Sequence, residues 1–175
     1  MKCPSIDKVQ KRIANISIGP STLRGQPGGT IKTAREFFIN FNFDIFNNCL
    51  SEEDFLNKLD EQTELLRNKI PSQSWGISRK ALNLFIFQSA HDIYLCEKNN
   101  LKRLIPFFEV VLDNPNAKRI LAIAEEKGIV LIWRNIKSLK KEENNPIQRF
   151  AKQIASERGY ERCYLDLDFW RGEVD

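Results

Sequence analysis

The sequence predicts a mostly α protein, a compact single-domain helical bundle of about six to eight helices over residues 1–175, with room for one short strand pair. Apolar residues recur every three or four positions in most segments, which is the spacing of a helix with one buried face. Capping residues precede several of these segments. Only one stretch, residues 128–136 (GIVLIWRNI), is short and β-branched like a strand.

The helices are predicted in chain order from their caps and apolar faces. Residues 5–16 form the first, and residues 1–18 could be a helical extension of the domain. The clearest helix covers residues 51–70, with Ser51 as its cap, acids in its first turn and Pro71 after it. Residues 74–95 are apolar almost all round, which is typical of a central buried helix. The other elements are a helix from Thr30, short pieces at 101–107 and 116–127, a helix at 144–159, and a last segment, 163–172, that fits either a strand or a helical turn.

Composition argues against several classes of protein. No apolar stretch approaches the roughly 18 residues that a membrane helix needs, and the N-terminus lacks the apolar core of a signal peptide. Four cysteines, at positions 3, 49, 96 and 163, are far apart, with no CxxC pair and one histidine in the chain. This pattern indicates reduced thiols in a cytoplasmic protein, with no metal site and no disulfide. No motif indicates a cofactor.

Charge is spread unevenly along the chain. Residues 1–50 carry seven bases and three acids, residues 51–70 carry three bases and six acids, and residues 71–105 carry five bases and two acids. The net charge of +4 permits nucleic-acid binding without requiring it. If the two basic segments meet in space, they form one positive face, so DNA or RNA is the expected partner.

The predicted central helix carries a polar stripe. Lys80, Asn83, Phe87, His91 and Tyr94 are three or four residues apart and therefore share one face. On one interpretation the Lys80 side chain reaches solvent along its aliphatic stem, and His91 is a satisfied histidine at the rim of the core. On the other, the face is the wall of a cleft, where Lys80 binds phosphate or acts as a desolvated nucleophile with a lowered pKa.

Acidic residues supply the second half of a possible site. Asp113 comes just before a predicted helix, where it is either an ordinary N-cap or a carboxylate that faces Lys80. An amine and a carboxylate in one cleft suit lyase or glycosyl-bond chemistry. Asp166 and Asp168 could hold Mg²⁺ if a third acid joined them, or they could belong to an exposed acidic terminus with one buried tryptophan, Trp170.

A glycine-rich stretch, residues 19–38 (GPSTLRGQPGGTIKTAREFF), precedes the helix that starts near Thr30. It lacks the Lys-Ser/Thr of a nucleotide-binding P-loop, and no strand precedes it. It therefore indicates either a plain N-cap after a flexible turn or a basic helix start that binds a backbone phosphate. The residues predicted to contact that phosphate are Arg24, Gly28, Gly29, Lys32 and Arg35.

Three short motifs, WGISRKALNLF, FEVVLDN and LDLDFWR, occur in this order from Trp75 onward. In this the chain is similar to a set of small bacterial proteins, and it more remotely resembles the helix-hairpin-helix DNA glycosylases. The resemblance covers about 100 residues and implies a helical DNA-binding architecture, with Lys80 and Asp113 matching the lysine and aspartate that cleave a base from DNA. Unlike that family, the chain has no glycine-rich hairpin loop between these two residues.

These observations together predict a nucleic-acid-binding protein that acts on DNA bases or backbone through Lys80 and Asp113. Its basic faces are residues 19–35 and 75–103, and the second face supplies contacts from Arg79, Asn83, His91, Lys102 and Arg103. Two alternatives remain open: a binding module without catalysis, and a protein-interaction subunit of a bacterial system.

Overall fold

The computed structural model describes residues 5–169, which are built mainly from helices. Eight α-helices follow one another in this part of the chain: α1 (Ile6–Ser17), α2 (Thr30–Ile39), α3 (Glu52–Lys69), α4 (Trp75–His91), α5 (Ile93–Asn99), α6 (Asn114–Glu126), α7 (Lys141–Arg158) and α8 (Leu165–Asp168). Short 3₁₀ helices cover Phe43–Phe46, Leu101–Phe107 and Arg162–Tyr164. The mostly α fold class is therefore confirmed. None of the helices described is long and apolar enough to cross a membrane.

Helix α3 begins at the predicted cap. The Ser51 hydroxyl accepts a hydrogen bond from the Asp54 amide at 3.1 Å, and the Asp54 carboxylate accepts one from the Ser51 amide at 3.0 Å. This reciprocal pair satisfies donors that the first turn of a helix otherwise leaves free. The predicted start and end of this helix both agree with the structure.

The strand for which residues 128–136 left room does not form, because no strand is present in residues 5–169. A strand needs a neighbour to satisfy its backbone groups, and the described chain offers none. Leu131 and Trp133 pack against the core, whereas Val130 and Ile132 point to solvent. The last segment takes its helical alternative as far as residue 169, and Trp170 and Arg171 lie outside the described residues.

Helix α4 lies between two apolar clusters and is buried along most of its length, as predicted. One cluster joins α1 to α5 and is rich in phenylalanine, with the rings of Phe38 and Phe85 stacked at 4.6 Å. The other gathers residues of α6, α7 and α8 around Trp75. The position of α4 fixes which of its polar residues can reach solvent.

A buried ion pair between Arg79 and Glu109 joins the two clusters. Arg79 Nε donates to Glu109 at 2.7 Å, and both side chains are almost fully buried. Burial on its own would raise the pKa of Glu109, but the charge and hydrogen bonds of Arg79, with help from Arg162 and Asn83, lower it to about 2. Glu109 is thus a carboxylate held charged inside the protein.

Candidate functional site

Lys80 lies half-buried on α4, on the helix face that also carries Gly76 one turn earlier. Burial lowers the pKa of Lys80, and the carboxylates of Asp113 and Asp166 oppose part of this effect. Within residues 5–169 no side chain or carbonyl forms a hydrogen bond or a close ion pair with the Lys80 ammonium group. A desolvated amine of this kind loses its proton more readily than an exposed lysine, which makes it a better nucleophile.

The two carboxylates near Lys80 come from different parts of the chain and share one buried neighbour, Asn116. The Asp113 carboxylate caps α6 by accepting a hydrogen bond from the Asn116 backbone amide at 3.1 Å. The Asn116 side-chain amide donates to Asp166 Oδ1 at 2.5 Å. The structure therefore links Asp113 to Asp166 through Asn116, a connection that the sequence did not indicate.

The rest of the polar stripe on α4 divides in two. Phe87 and His91 face the segment before α8, where the His91 Nε2 atom lies 3.2 Å from the Tyr164 hydroxyl. Asn83 instead turns inward and donates to Glu109 at 2.9 Å. Tyr94 lies beyond the end of α4 and is exposed. The shared face that the spacing predicts therefore extends from Lys80 to His91 without Asn83.

The glycine-rich stretch ends at Gly29, which has a left-handed backbone (φ 86°) and precedes α2 without any side-chain cap. Gly28, Arg24 and Lys32 are exposed, and Lys32 is 4.0 Å from Glu36. Arg35 is engaged internally, since its Nε donates to the Ile18 carbonyl at 2.6 Å. The exposed residues of this stretch remain available to bind an anion.

A further basic segment, residues 134–141, was not identified from the sequence. We call it the basic loop. It contains four bases and no acid, in the stretch RNIKSLKK. Lys137 Nζ donates to the Gly25 carbonyl at 3.0 Å, and the Lys137 carbonyl accepts from Ser74 at 2.8 Å. The basic loop therefore meets the glycine-rich stretch beside the start of α4. A run of four bases within eight residues was the signal that could have found it.

Several residues predicted to bind nucleic acid are placed elsewhere. Arg79 and Asn83 are buried, 2% and 7% exposed, and both bond to Glu109. Arg103 donates to the carbonyls of Cys49 and Phe46, each at 2.6 Å. The side chains of Arg79 and Asn83 are therefore not available at the surface, and the half-buried Arg103 side chain is held by backbone carbonyls. Lys102 is exposed, on the 3₁₀ helix after α5.

Asp166 and Asp168 do not form a shared site. Residues two apart on a helix point in different directions. Asp168 accepts a hydrogen bond from Tyr160 and pairs with Arg158 at 2.8 Å. In the part of the chain that the structure describes, no three or more His, Cys, Asp or Glu side chains are grouped so as to hold a metal ion.

Comparisons with protein-family models, with curated proteins and with solved structures found no match to this chain. Function is therefore inferred from the residues themselves. They include a half-buried amine, Lys80, whose pKa is lowered by burial and partly restored by the charges of Asp113 and Asp166, on a helix that begins beside the basic loop.

Proposed function

We propose that this protein binds DNA and cleaves it at damaged sugars, with Lys80 as the attacking amine and Asp113 as its carboxylate partner. The observation that carries the proposal is Lys80 itself, which is half-buried, has a pKa lowered by burial, and has an ammonium group that forms no hydrogen bond or ion pair with another residue of the described range 5–169. A lysine that served only as a surface charge would gain nothing from this desolvation.

The reaction follows from amine chemistry. An abasic site in DNA presents the deoxyribose C1′ atom as an aldehyde. The Lys80 nitrogen forms a bond to C1′, the carbonyl oxygen leaves as water, and a positively charged imine remains. Asp113 then accepts a proton from C2′, the C3′–O bond breaks, and the 3′ phosphate departs with the bonding electrons. The nearby carboxylates favour the positive imine electrostatically.

The proposed binding surface consists of the exposed glycine-rich stretch and the basic loop. Arg24 comes from the first, and Arg134 and Lys140 come from the second; all three side chains are exposed. Contact between Lys137 and Gly25 holds the two segments together. Phosphates bound there would lie next to the turn of α4 that precedes Lys80, which is where the strand must pass for its sugar to meet the amine.

Substitution of Lys80 tests the chemistry. We expect the wild-type protein to form a borohydride-trapped covalent adduct with an oligonucleotide that contains one abasic site, and Lys80→Ala to form none, because the substitution removes the proposed attacking amine. Lys8→Ala removes an exposed lysine of α1, which lies outside the proposed binding surface, and should keep the adduct. Adduct formation is read from a gel shift under denaturing conditions. Trapping that persists in Lys80→Ala would contradict the proposal, and binding without any wild-type adduct would favour a non-catalytic binding module.

Charge reversal tests the surface. The variant Arg24→Glu/Arg134→Glu should bind a fluorescent duplex more weakly than the wild type, and its affinity should depend less steeply on salt, with a slope smaller by about 0.9 for each phosphate that is no longer neutralised. Lys8→Glu/Lys11→Glu is the matched control, since it makes the same change in net charge on exposed residues of α1. Equally weakened binding in both variants would mean that net charge, and not this surface, determines binding. Wild-type protein that binds no nucleic acid at low salt would favour the protein-interaction subunit.

A further inference from the structure

One stretch of the chain leaves its backbone unpaired. Residues 129–133 (IVLIW) are all apolar and lie between the end of α6 and the basic loop. No N–H or C=O group of residues 130–134 forms a backbone hydrogen bond with another residue of the range 5–169. No helix, turn or bend interrupts residues 129–135. These residues therefore have the features of a β-strand at the edge of a sheet, with the neighbouring strand absent.

The side chains of this stretch alternate between the core and solvent, as they do along a strand. Leu131 and Trp133 pack against the apolar cluster of α6, α7 and α8. Val130 is 90% exposed and Ile132 is 59% exposed. Both are β-branched, which favours strands. An exposed apolar face beside an unpaired backbone is the kind of surface to which a second strand adds.

We propose that residues 129–133 form an antiparallel two-stranded sheet with the same residues of a second copy of this chain. Two copies related by a two-fold axis present identical edges to each other, so each supplies the hydrogen-bond donors and acceptors that the other lacks. In the register centred on Leu131, Val130 lies opposite Ile132 of the second copy, which gives two apolar cross-strand pairs. This interface does not depend on the proposed function.

The charges at the two ends of the stretch favour a second copy in the antiparallel orientation. Glu125 and Glu126 are exposed and precede the stretch, whereas the basic loop follows it. Lys127 is paired with Glu157 at 2.6 Å, so it offsets little of this acidic end. In an antiparallel pair, the acidic end of each copy lies beside the basic loop of the other. A parallel pair would place like charges side by side.

The size of the contact sets its strength. A single pair of such short strands buries less than the roughly 1,200 Å² at the lower end of stable protein interfaces. We therefore expect a dimer that exchanges with the monomer, with a dissociation constant on the order of 10–100 µM.

Sedimentation equilibrium from about 5 to 500 µM tests the interface. The wild-type mass should rise from 20.4 kDa towards twice that value. Val130→Lys/Ile132→Lys places like charges opposite each other and should raise the dissociation constant roughly tenfold or more. Leu50→Lys/Leu65→Lys, the matched control, makes the same charge change at two other exposed apolar residues and should dimerise like the wild type. A wild type that stays monomeric, or a Val130→Lys/Ile132→Lys protein that dimerises like the control, would overturn the inference.

Backbone pairing is tested on the wild-type protein by amide hydrogen exchange. Exchange in residues 130–134 should slow as the protein concentration rises over the same range, because amides of this stretch donate to the second copy in the dimer. A protein that dimerises while these amides exchange at the same rate at every concentration would overturn the strand pairing.

The orientation is tested by removing charge. Glu125→Gln/Glu126→Gln takes away acids that lie beside the basic loop of the other copy, so the dimer should weaken about threefold. Glu61→Gln/Glu64→Gln makes the same charge change on exposed residues of α3 and should leave the dissociation constant unchanged. In a parallel pair the two acidic ends would repel each other. An unchanged or tighter Glu125→Gln/Glu126→Gln dimer would therefore overturn the antiparallel arrangement.

Discussion

Replacing Glu109 with alanine is expected to destabilise the protein by about 3–5 kcal/mol, which is the usual cost of removing one partner from a buried ion pair. The Glu109 carboxylate accepts four hydrogen bonds: Arg79 Nε at 2.7 Å, Arg79 Nη2 at 3.2 Å, Asn83 at 2.9 Å and Asn144 at 3.1 Å. These donors belong to α4 and α7. Without Glu109, the side-chain donors of Asn83 and Asn144 and two N–H groups of Arg79 lose their acceptor. The only ion pair that Arg79 then keeps within residues 5–169 is the one with Asp60 at 2.8 Å.

Urea denaturation measures this destabilisation, and two further variants serve as comparisons. Glu61→Ala removes an exposed carboxylate that pairs with Lys58 at 3.0 Å, so it should cost less than about 1 kcal/mol. Arg79→Met/Glu109→Leu replaces the charged pair with apolar groups and should recover part of the stability, because the uncompensated charge is gone. A Glu109→Ala protein within about 1 kcal/mol of the wild type would contradict the assigned role of this ion pair.

The same carboxylate gives the protein a defined acid sensitivity. The pKa of Glu109 is about 2 in the folded protein, against an ordinary value of 4.5. Because the folded pKa is depressed, this stabilisation is complete above pH 4.5 and disappears as the pH falls from 4.5 towards 2, for a total of about 3 kcal/mol. The difference in unfolding free energy between wild type and Glu109→Gln should shrink over that interval. A difference in unfolding free energy that stays constant down to about pH 2.5 would contradict the lowered pKa of Glu109.

The fold class could be predicted because its signals are local. The cap at Ser51, the acids that follow it and the apolar spacing of α3 and α4 all lie within one helix length. A strand cannot be predicted in this way, since it depends on a partner elsewhere in the chain. Residues 128–136 have a strand-like composition, yet nothing in residues 5–169 pairs with them.

The candidate site was predictable only in part, for the same reason. Lys80 and Asp113 could be chosen because each stands in an informative local context, a lysine on an apolar helix and an acid before a helix. Asp166 could not be connected with Asp113, because its link runs through Asn116, 50 positions earlier. Arg79 was assigned to the surface because its partner Glu109 is 30 positions away and gives no local signal.

Gly76 should tolerate no side chain. A Cβ atom there would lie 2.1 Å from the Ile136 carbonyl oxygen and 2.8 Å from the Leu139 Cβ atom, both of which belong to the basic loop. The first is a backbone atom that cannot rotate away, so the loop itself must move. We expect Gly76→Ala to lower the stability by about 1–3 kcal/mol through overpacking, even though alanine is the better helix former by about 1 kcal/mol.

The displaced loop gives this substitution an effect on binding as well. The basic loop carries Arg134 and Lys140 next to the turn before Lys80, so pushing it outward should weaken binding to a fluorescent duplex in protein that is still folded at the assay temperature. Gly19→Ala is the matched control, because its Cβ atom would meet only the Ser21 hydroxyl at 3.9 Å. Thermal unfolding and duplex binding are measured on both variants. If Gly76→Ala unfolded at a lower temperature yet bound DNA as tightly as Gly19→Ala, the basic loop would not be part of the binding surface.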